Sequence, residues 1–411
     1  MVRPRRSRLA LVAGALIVVV SIAFALRKDH GRTVAVPTVP APKGVKPLAD
    51  PYAWAPDRSA DFSRRAAAGT AGALYELSPG GVAVSAARVA RFRPQIERAA
   101  KAAGVRADRL EGLVFLESAG RPDATAGGVQ SAAGLTQILA ETGQDLLGMK
   151  IDTARSASYT RRIARAAGAR RVAALERARA RVDERFDPGK ALAATARYLA
   201  MAKNKFGRED LAFVSYHMGM GNLDGVLKAY GKGPVPYAQL YFDSTPLRHA
   251  AAYAKLSGFG DDSSNYFWKI GAAEAIMRLM RTDPARLARQ SALLEAPAPP
   301  AADGDLVAVR SASGMRFPPG ARLRSEAAAL ALYAGALVKT ISGAPSLNVT
   351  GTAGGRLDVS RRYASPAQAV AFQYVLDRLR VLGAIQWWRD ARSIHITVSK
   401  DAARLEPLLK R

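Results

Sequence analysis

The chain contains no cysteine in 411 residues, so disulfide scaffolds, thiolate zinc sites, iron–sulfur clusters and cysteine nucleophiles are excluded together. Acidic residues are scarce, because 34 Asp and Glu stand against 61 Lys and Arg, which gives a formal net charge of +27. Such a chain attracts polyanions such as nucleic acid, anionic lipid headgroups or acidic wall polymers. The composition is otherwise that of a globular protein, with 49% hydrophobic and 23% charged residues, and the length predicts two or three domains.

An uncharged, mostly apolar run occupies residues 9–26, behind a basic tail at residues 1–8. As a helix, these 18 residues would span about 27 Å, close to the roughly 30 Å hydrocarbon core of a bilayer. The basic tail predicts a cytoplasmic N-terminus, so we expect a transmembrane anchor in the inner, cytoplasmic membrane and a periplasmic, extracytoplasmic location for the rest. The alternative is a cleaved signal peptide, because Ala23–Ala25 has the pattern of a cleavage site. Export makes nucleic acid an unexpected partner and favours a negatively charged cell wall.

Two proline-containing stretches divide the remainder of the chain. Residues 27–60 predict a Pro-rich linker, and residues 292–303 predict a second, Ala/Pro linker. Between them, residues 61–291 are rich in Ala, Leu and Arg with helical periodicity. Residues 304–411 combine strand-like runs with a helix that opens on a capping Ser365 followed by proline. The sequence therefore predicts a mainly α domain, a smaller α+β C-terminal domain and an N-terminal transmembrane helix.

Residues 155–185 hold ten arginines against only three acidic residues. One interpretation is a solvated basic helical hairpin. The other is a surface that grips an anionic polymer, so anionic wall polymers are a candidate partner.

Glu117 lies at the end of an apolar helix, between Phe115-Leu116 and a small-residue turn that begins at Ser118. Burial disfavours the charged form of a carboxyl group and raises its pKa, which suits a general acid at neutral pH. A lone Glu on an apolar helix is more often a salt-bridged or snorkelling residue, so this position alone does not assign catalysis.

Four motifs follow one another along the chain around this residue. They are Glu117-Ser118 with Pro122 and Ala124, Gly134-Leu135-x-Gln137-Ile138 with Thr142, Arg185–Pro188 with Ala196–Leu199, and Tyr216-x-x-Gly219. In residues and in order they resemble the soluble-type lytic transglycosylases, the lysozyme-like SLT fold of glycoside hydrolase family 23, over roughly residues 90–280.

This resemblance implies an all-α, lysozyme-like domain with a long cleft for peptidoglycan glycan strands. It implies that Glu117 alone protonates the β-1,4 bond between N-acetylmuramic acid and N-acetylglucosamine. The same carboxylate then helps the C6 hydroxyl attack C1, which leaves a 1,6-anhydromuramyl end. The implied reaction, a lyase-type glycosidic cleavage, uses neither a metal nor a cofactor.

The resemblance also implies a set of substrate-binding positions. They are Ser118, Gly134, Leu135, Gln137, Tyr198, Tyr216 and His217. Ser118 and Gln137 would orient the sugar or the carboxyl group, and the two tyrosines would line the cleft. The chain departs from the family where it has Thr136 for the usual Met and His217 for the usual Asn. His217 is therefore either a packed polar residue or a sugar contact.

Other mechanisms stay open at this point. A hydrolytic muramidase would need a second carboxylate, such as Asp123, at a defined distance from the first. A non-catalytic wall-binding scaffold would leave Glu117 idle. The segment 261–268 predicts either an acidic or aromatic wall of the cleft or a capped loop before a helix.

The C-terminal region resembles, less strongly, the zinc D,D-carboxypeptidase fold. Asp358 and His395 match that family's second and third zinc ligands, but Gly351 occupies the first ligand position and Arg392 that of the catalytic base. Catalytic zinc normally needs three protein ligands. We therefore expect this domain to be inactive and to serve either structure or binding, with 16 basic residues against seven acidic ones across 304–411.

Overall fold

The computed structural model describes residue 52 and residues 54–295, 306–312 and 314–399. The predicted basic tail, the predicted transmembrane segment 9–26 and most of both linkers lie outside these residues. Within the described part of the chain, none of the helices has both the length and the apolar composition that crossing a membrane requires.

The described chain is mainly helical, with strands near its C-terminal end, which confirms the predicted balance of helix and sheet. In chain order the helices are α1 (Ser59–Leu77), α2 (Val82–Ala90), α3 (Arg93–Ala103), α4 (Ala107–Ser118), α5 (Thr153–Arg165), α6 (Ala169–Val182), α7 (Pro188–Phe206), α8 (Glu209–Met218), α9 (Met220–Tyr230), α10 (Tyr237–Asp243), α11 (Ala250–Gly258), α12 (Tyr266–Thr282), α13 (Pro284–Glu295), α14 (Ser325–Ser342) and α15 (Pro366–Val381). The strands are β1 (Leu306–Ala308), β2 (Met315–Arg316), β3 (Arg322–Arg324), β4 (Leu347–Ala353), β5 (Arg356–Ser360), β6 (Ile385–Arg389) and β7 (Ser393–Val398).

The described residues form two compact units, and each unit combines segments that are separate in the sequence. The Glu117 unit comprises residues 73–220 and 261–295, and the sheet unit comprises the described residues of 52–72, 221–260 and 306–399. The predicted domains, 61–291 and 304–411, are each continuous in sequence, whereas the sheet unit also includes residues 221–260. The predicted boundaries stay predictions.

The Glu117 unit is built around α4, of whose twelve residues eight are buried. α4 crosses α12 at Gly112, where a Cβ atom would lie 2.8 Å from the carbonyl oxygen of Ile270. Only glycine permits this approach of the two helix backbones. The crossing brings the end of α4, with Glu117, next to the start of α12, with Tyr266. In the same unit, the arginine-rich α5 and α6 pack against each other as a helical hairpin.

The sheet unit contains a five-stranded sheet in the order β2-β4-β5-β7-β6 and a separate β1-β3 pair. Alternate residues along β5 and β7 are buried, and α14 and α15 complete the core. The segment 221–260 is attached to this core by Arg378 of α15, whose guanidinium donates to the carbonyl oxygens of Tyr241 and Ser244 at 2.7 and 2.8 Å. Arg378 is only 1% exposed.

Candidate active site

Glu117 is a buried carboxyl group in the last turn of α4. Only 9% of the residue is exposed, and Tyr266 donates its hydroxyl hydrogen to Glu117 Oε1 at 2.5 Å. Burial raises the pKa of Glu117 to about 7, and the hydrogen bond from Tyr266 acts in the opposite direction. No cation of the described chain contributes to this shift. A carboxyl group with this pKa is protonated often enough to act as an acid and ionised often enough to act as a base near neutral pH.

The turn after Glu117 is tightly fixed. Ala119 and Gly120 both have positive φ angles, of 52° and 74°, which end the helix. A Cβ atom on Gly120 would lie 2.6 Å from the amide nitrogen of Val89, so this position excludes larger residues. Arg88 donates through Nε to the carbonyl oxygen of Ala119 at 3.0 Å and through Nη2 to that of Pro79 at 2.7 Å. One arginine thus joins the end of α4 to the turn that follows α1.

Glu117 opens into a pocket of about 840 Å³, including the solvent at its mouth, and all of the lining residues belong to the Glu117 unit. One group of lining residues is apolar or small, namely Ala73, Leu74, Leu77, Pro79, Phe115, Leu116 and Ala119. The polar lining residues are Ser78, Glu117, Ser118, Arg121, His217, Asp262, Tyr266 and Lys269. Apolar walls with a few convergent polar groups are the usual composition of a ligand pocket.

The Gly134–Ile138 motif forms a loop that is fixed to the end of α4. Ser118 donates its hydroxyl to the carbonyl oxygen of Leu135 at 2.7 Å. The amide of Gln137, whose own φ is 51°, donates to the carbonyl oxygens of Gly134 at 2.8 Å and Ala124 at 3.1 Å. Ser118 lines the pocket, whereas the amide hydrogens of Gln137 are donated to backbone carbonyls and Leu135 is fully buried. In this geometry Gln137 stabilises the conformation of the loop. A direct contact of Gln137 with substrate stays a prediction.

Arg185, the first residue of the third motif, is a buried residue that fixes the neighbouring loop. Its fully buried guanidinium forms a bidentate pair with Asp183, at 2.9 and 2.8 Å, and donates to the carbonyl oxygens of Val129 at 2.6 Å and Ser131 at 2.7 Å. A Cβ atom on Gly134, where φ is 83°, would lie 1.8 Å from the carbonyl oxygen of Arg185. The loop therefore rests directly on the backbone of the Arg185 segment.

The two tyrosines of the later motifs use their hydroxyls inside the protein. Tyr216 donates to the carbonyl oxygen of Thr136 at 2.8 Å, and Tyr198 donates to that of Ser215 at 2.6 Å. Their rings meet edge to face, with centroids 5.3 Å apart. Burial, and then the negative charge of nearby Glu117, raise the pKa of Tyr216, which keeps its phenol protonated. Neither tyrosine is among the residues that line the pocket, so contact with substrate stays a prediction for both.

His217 lines the same pocket as Glu117. Its ring stacks on that of Tyr266, with centroids 4.9 Å apart, and Nδ1 lies 3.1 Å from the hydroxyl oxygen of Ser263. Burial lowers the pKa of His217, which favours the neutral imidazole. His217 is thus both a packed residue and a pocket residue, and its contact with sugar stays a prediction.

The segment 261–268 forms the loop before α12 and also contributes to the pocket. Asp261 accepts the amide hydrogen of Ser263 at 2.7 Å, which fixes the turn of the loop before α12. Asp262 lines the pocket and forms an ion pair with Lys269. The hydrogen bond between Tyr266 and Glu117 was not predicted, because nothing in one sequence pairs two residues that lie 149 positions apart.

Residues 94–234 match the family model described as the transglycosylase SLT domain. That family consists of lytic transglycosylases that act on peptidoglycan, and the matched residues include Glu117 and all four sequence motifs. The match supports the predicted lysozyme-like helical domain and, in general terms, peptidoglycan lytic transglycosylase activity. No curated protein matches the chain. The resemblance of the C-terminal region to zinc carboxypeptidases stays a prediction.

Proposed function

We propose that the protein cleaves the β-1,4 bond between N-acetylmuramic acid and N-acetylglucosamine in peptidoglycan without hydrolysis, with Glu117 as the single acid/base. The observation that carries the proposal is the buried Glu117 carboxyl group, held by Tyr266 at the wall of an open pocket. The SLT-domain match over residues 94–234 supports the substrate class.

The proposed reaction follows from how Tyr266 holds the carboxyl group. Because Tyr266 donates to Oε1, the acidic proton of neutral Glu117 belongs on Oε2. That proton passes to the glycosidic oxygen as its bond to C1 of muramic acid breaks, and the sugar's own acetamido group stabilises the resulting cation. The Glu117 carboxylate then accepts the proton of the C6 hydroxyl as O6 bonds to C1. This closes the 1,6-anhydro ring and restores neutral Glu117 without consuming water.

The hydrolytic alternative needs a second carboxylate that is free to act as nucleophile or base. Asp262 is a carboxylate that lines the pocket, but it is engaged by Lys269. Asp123, the candidate from the sequence, is not among the lining residues. These observations favour the single-carboxylate reaction.

Mass spectrometry of the products from purified sacculi tests the proposal. The unaltered protein should release muropeptides with 1,6-anhydro ends, 18 mass units lighter than the hydrolytic products because one water is missing. Glu117→Gln should release none, and Glu141→Gln, the same change at an exposed carboxylate, should leave the product yield unchanged. Reducing ends from the unaltered protein would establish a muramidase instead, and full activity of Glu117→Gln would refute the site.

Asp262→Asn separates the two mechanisms further. If Glu117 is the only acid/base, the variant keeps forming anhydro ends, although more slowly because Lys269 loses its partner. If Asp262 takes part as a second carboxylate, product formation stops.

We propose an extracytoplasmic location, with residues 9–26 as the membrane anchor and anionic wall polymers as a further partner. The sequence alone supports this, through the length of the apolar run and the basic tail before it. Fractionation of cells that express the protein with an N-terminal tag tests it. The tag should stay with full-length protein in the membrane fraction, whereas its loss from mature protein would indicate cleavage near Ala23–Ala25.

A further inference from the structure

A row of side chains crosses the sheet of the sheet unit on the face opposite its core. Gly351 of β4 lies opposite Asp358 of β5, Asp358 lies opposite His395 of β7, and His395 lies opposite Trp388 of β6. The neighbours of these residues along β5 and β7, such as Leu357, are buried in the core. Because successive side chains in a strand point to opposite faces, the row stands on the outer face.

Trp388 is the most exposed large hydrophobic residue of the described chain, with 56% of its surface accessible. Its ring stacks on that of His395, with centroids 3.8 Å apart and planes inclined by 23°. One face of the indole is therefore occupied by the imidazole, which leaves the opposite face as a flat apolar surface.

The imidazole beneath Trp388 is held at both of its nitrogens. Nδ1 lies 2.7 Å from Asp358 Oδ1, and Nε2 lies 3.0 Å from Asp390 Oδ2. These two carboxylates raise the pKa of His395, and the imidazole in turn lowers the pKa of Asp390 to about 2. A ring that is fixed at two points gives Trp388 a fixed support, so little side-chain freedom is left to lose on binding.

The polar groups around the indole suit a sugar that also carries carboxylates. Asp358 and Asp390 are hydrogen-bond acceptors beside the ring, and a pyranose presents several hydroxyl donors at its edge. Arg356 stands on the same face with half of its side chain exposed, and its Nε lies 3.4 Å from Asp358 Oδ1. Asp358 and Asp390 disfavour an anion directly over the indole, so the ring that stacks there should be an uncharged pyranose rather than part of a phosphodiester chain, with any carboxylate of the glycan towards Arg356.

We propose that this row is a second glycan-binding site, at which a pyranose ring of an acidic glycan strand stacks on Trp388. The hydroxyls of the sugar bond to Asp358 and Asp390, and its carboxylates are drawn to Arg356. The site binds the glycan without cutting it. The choice of a peptidoglycan strand as the occupant rests on the proposed function, whereas the presence of the stacking platform does not.

Binding to purified sacculi tests this proposal, with the full chain carrying Glu117→Gln so that the glycan stays intact. Adding Trp388→Ala should weaken binding about tenfold, which corresponds to about 1.4 kcal/mol. Trp388→Phe should restore part of the loss, since it keeps a ring. Val307→Ala, a truncation of another exposed hydrophobic residue of the sheet unit, is the matched control and should change nothing.

A local readout separates this site from the pocket at Glu117. Saturating N-acetylglucosamine oligomers should shift the tryptophan emission of the Glu117→Gln protein to shorter wavelength, and Trp388→Phe should abolish that shift. Unchanged sacculus binding by Trp388→Ala, or an emission shift that survives Trp388→Phe, would overturn the proposal.

Binding of other polyanions would also overturn the proposal. If polyglutamate or single-stranded DNA binds as tightly as the glycan and depends equally on Trp388, the row is a general polyanion or nucleic-acid site. Failure of the proposed function would appear separately, as missing anhydro products from the protein with Glu117 intact, while the effect of Trp388→Ala on binding would persist.

Discussion

The hydrogen bond from Tyr266 to Glu117 predicts how the reaction depends on pH. In the proposed reaction cleavage begins with protonated Glu117, so activity should fall as pH rises through the pKa of this carboxyl group, which is about 7. The tyrosine hydroxyl stabilises the carboxylate form and so opposes the effect of burial. Tyr266→Phe removes that hydroxyl, which should raise the pKa of Glu117 further and move the alkaline limb of the profile to higher pH.

The size of the shift follows from the strength of the bond. A hydrogen bond to a charged group is worth roughly 1.5–3 kcal/mol, and a bond to the neutral acid roughly 0.5–1.5 kcal/mol. The difference is on the order of 1.4 kcal/mol, which corresponds to about one pKa unit. The profile of kcat/KM should therefore shift upward by about one pH unit, while the maximal rate falls because the carboxyl group is held less firmly.

The assay is release of soluble muropeptides from sacculi between pH 5 and 9, in buffers of constant ionic strength. Tyr159→Phe, which removes a phenol hydroxyl on α5 away from the pocket, is the control and should leave the profile unchanged. An alkaline limb of Tyr266→Phe that coincides with that of the unaltered protein, or lies below it, would refute the assigned role of the hydrogen bond.

The remaining predictions concern stability. Folding raises the pKa of Glu117 from 4.5 to about 7, so ionisation opposes folding, and the contribution is lost as pH rises from 4.5 to 7. Glu117→Gln should therefore stabilise the protein by up to about 3 kcal/mol at pH 8 and by little at pH 4, measured by urea denaturation at both pH values. Gly134→Ala should destabilise the protein by roughly 3 kcal/mol or more in the same assay, because the new Cβ would overlap the carbonyl oxygen of Arg185. The control is Gly148→Ala, which also has a positive φ but lies in open space and should cost about 1 kcal/mol. Asp183→Asn leaves the buried Arg185 without its counter-ion and should cost about 3–5 kcal/mol; a loss below 1 kcal/mol would show that the backbone carbonyls suffice.

The position and burial of Glu117 could be predicted from the sequence, because both depend on local periodicity. Apolar residues surround Glu117 in the last turns of α4, so the sequence predicts a buried carboxyl group with a raised pKa, and the structure has both. The hydrogen-bonding partner could not be predicted, because Tyr266 reaches Glu117 only through the crossing of α4 and α12 at Gly112. That crossing depends on a long-range contact, which no local pattern contains.

Local sequence patterns also could not predict where the hydroxyls of Tyr198 and Tyr216 point. A tyrosine after an apolar helix position is compatible both with a cleft wall and with a buried hydroxyl that bonds a backbone carbonyl. Tyr198 has the second arrangement, with its hydroxyl 2.6 Å from the carbonyl oxygen of Ser215. The row that contains His395 and Trp388 could not be predicted either, because only the register between β6 and β7 places the two residues side by side. In the sequence they are simply residues of separate strands.

The attachment of the segment 221–260 to α15 has a practical consequence for anyone who shortens this protein. A chain ended at the Ala/Pro stretch before residue 304 would lose Arg378, together with the core that covers Tyr253 and the ring of Tyr241. Those aromatic groups would then face water, which favours aggregation. The smallest soluble fragment with catalytic competence should therefore retain the C-terminal sheet.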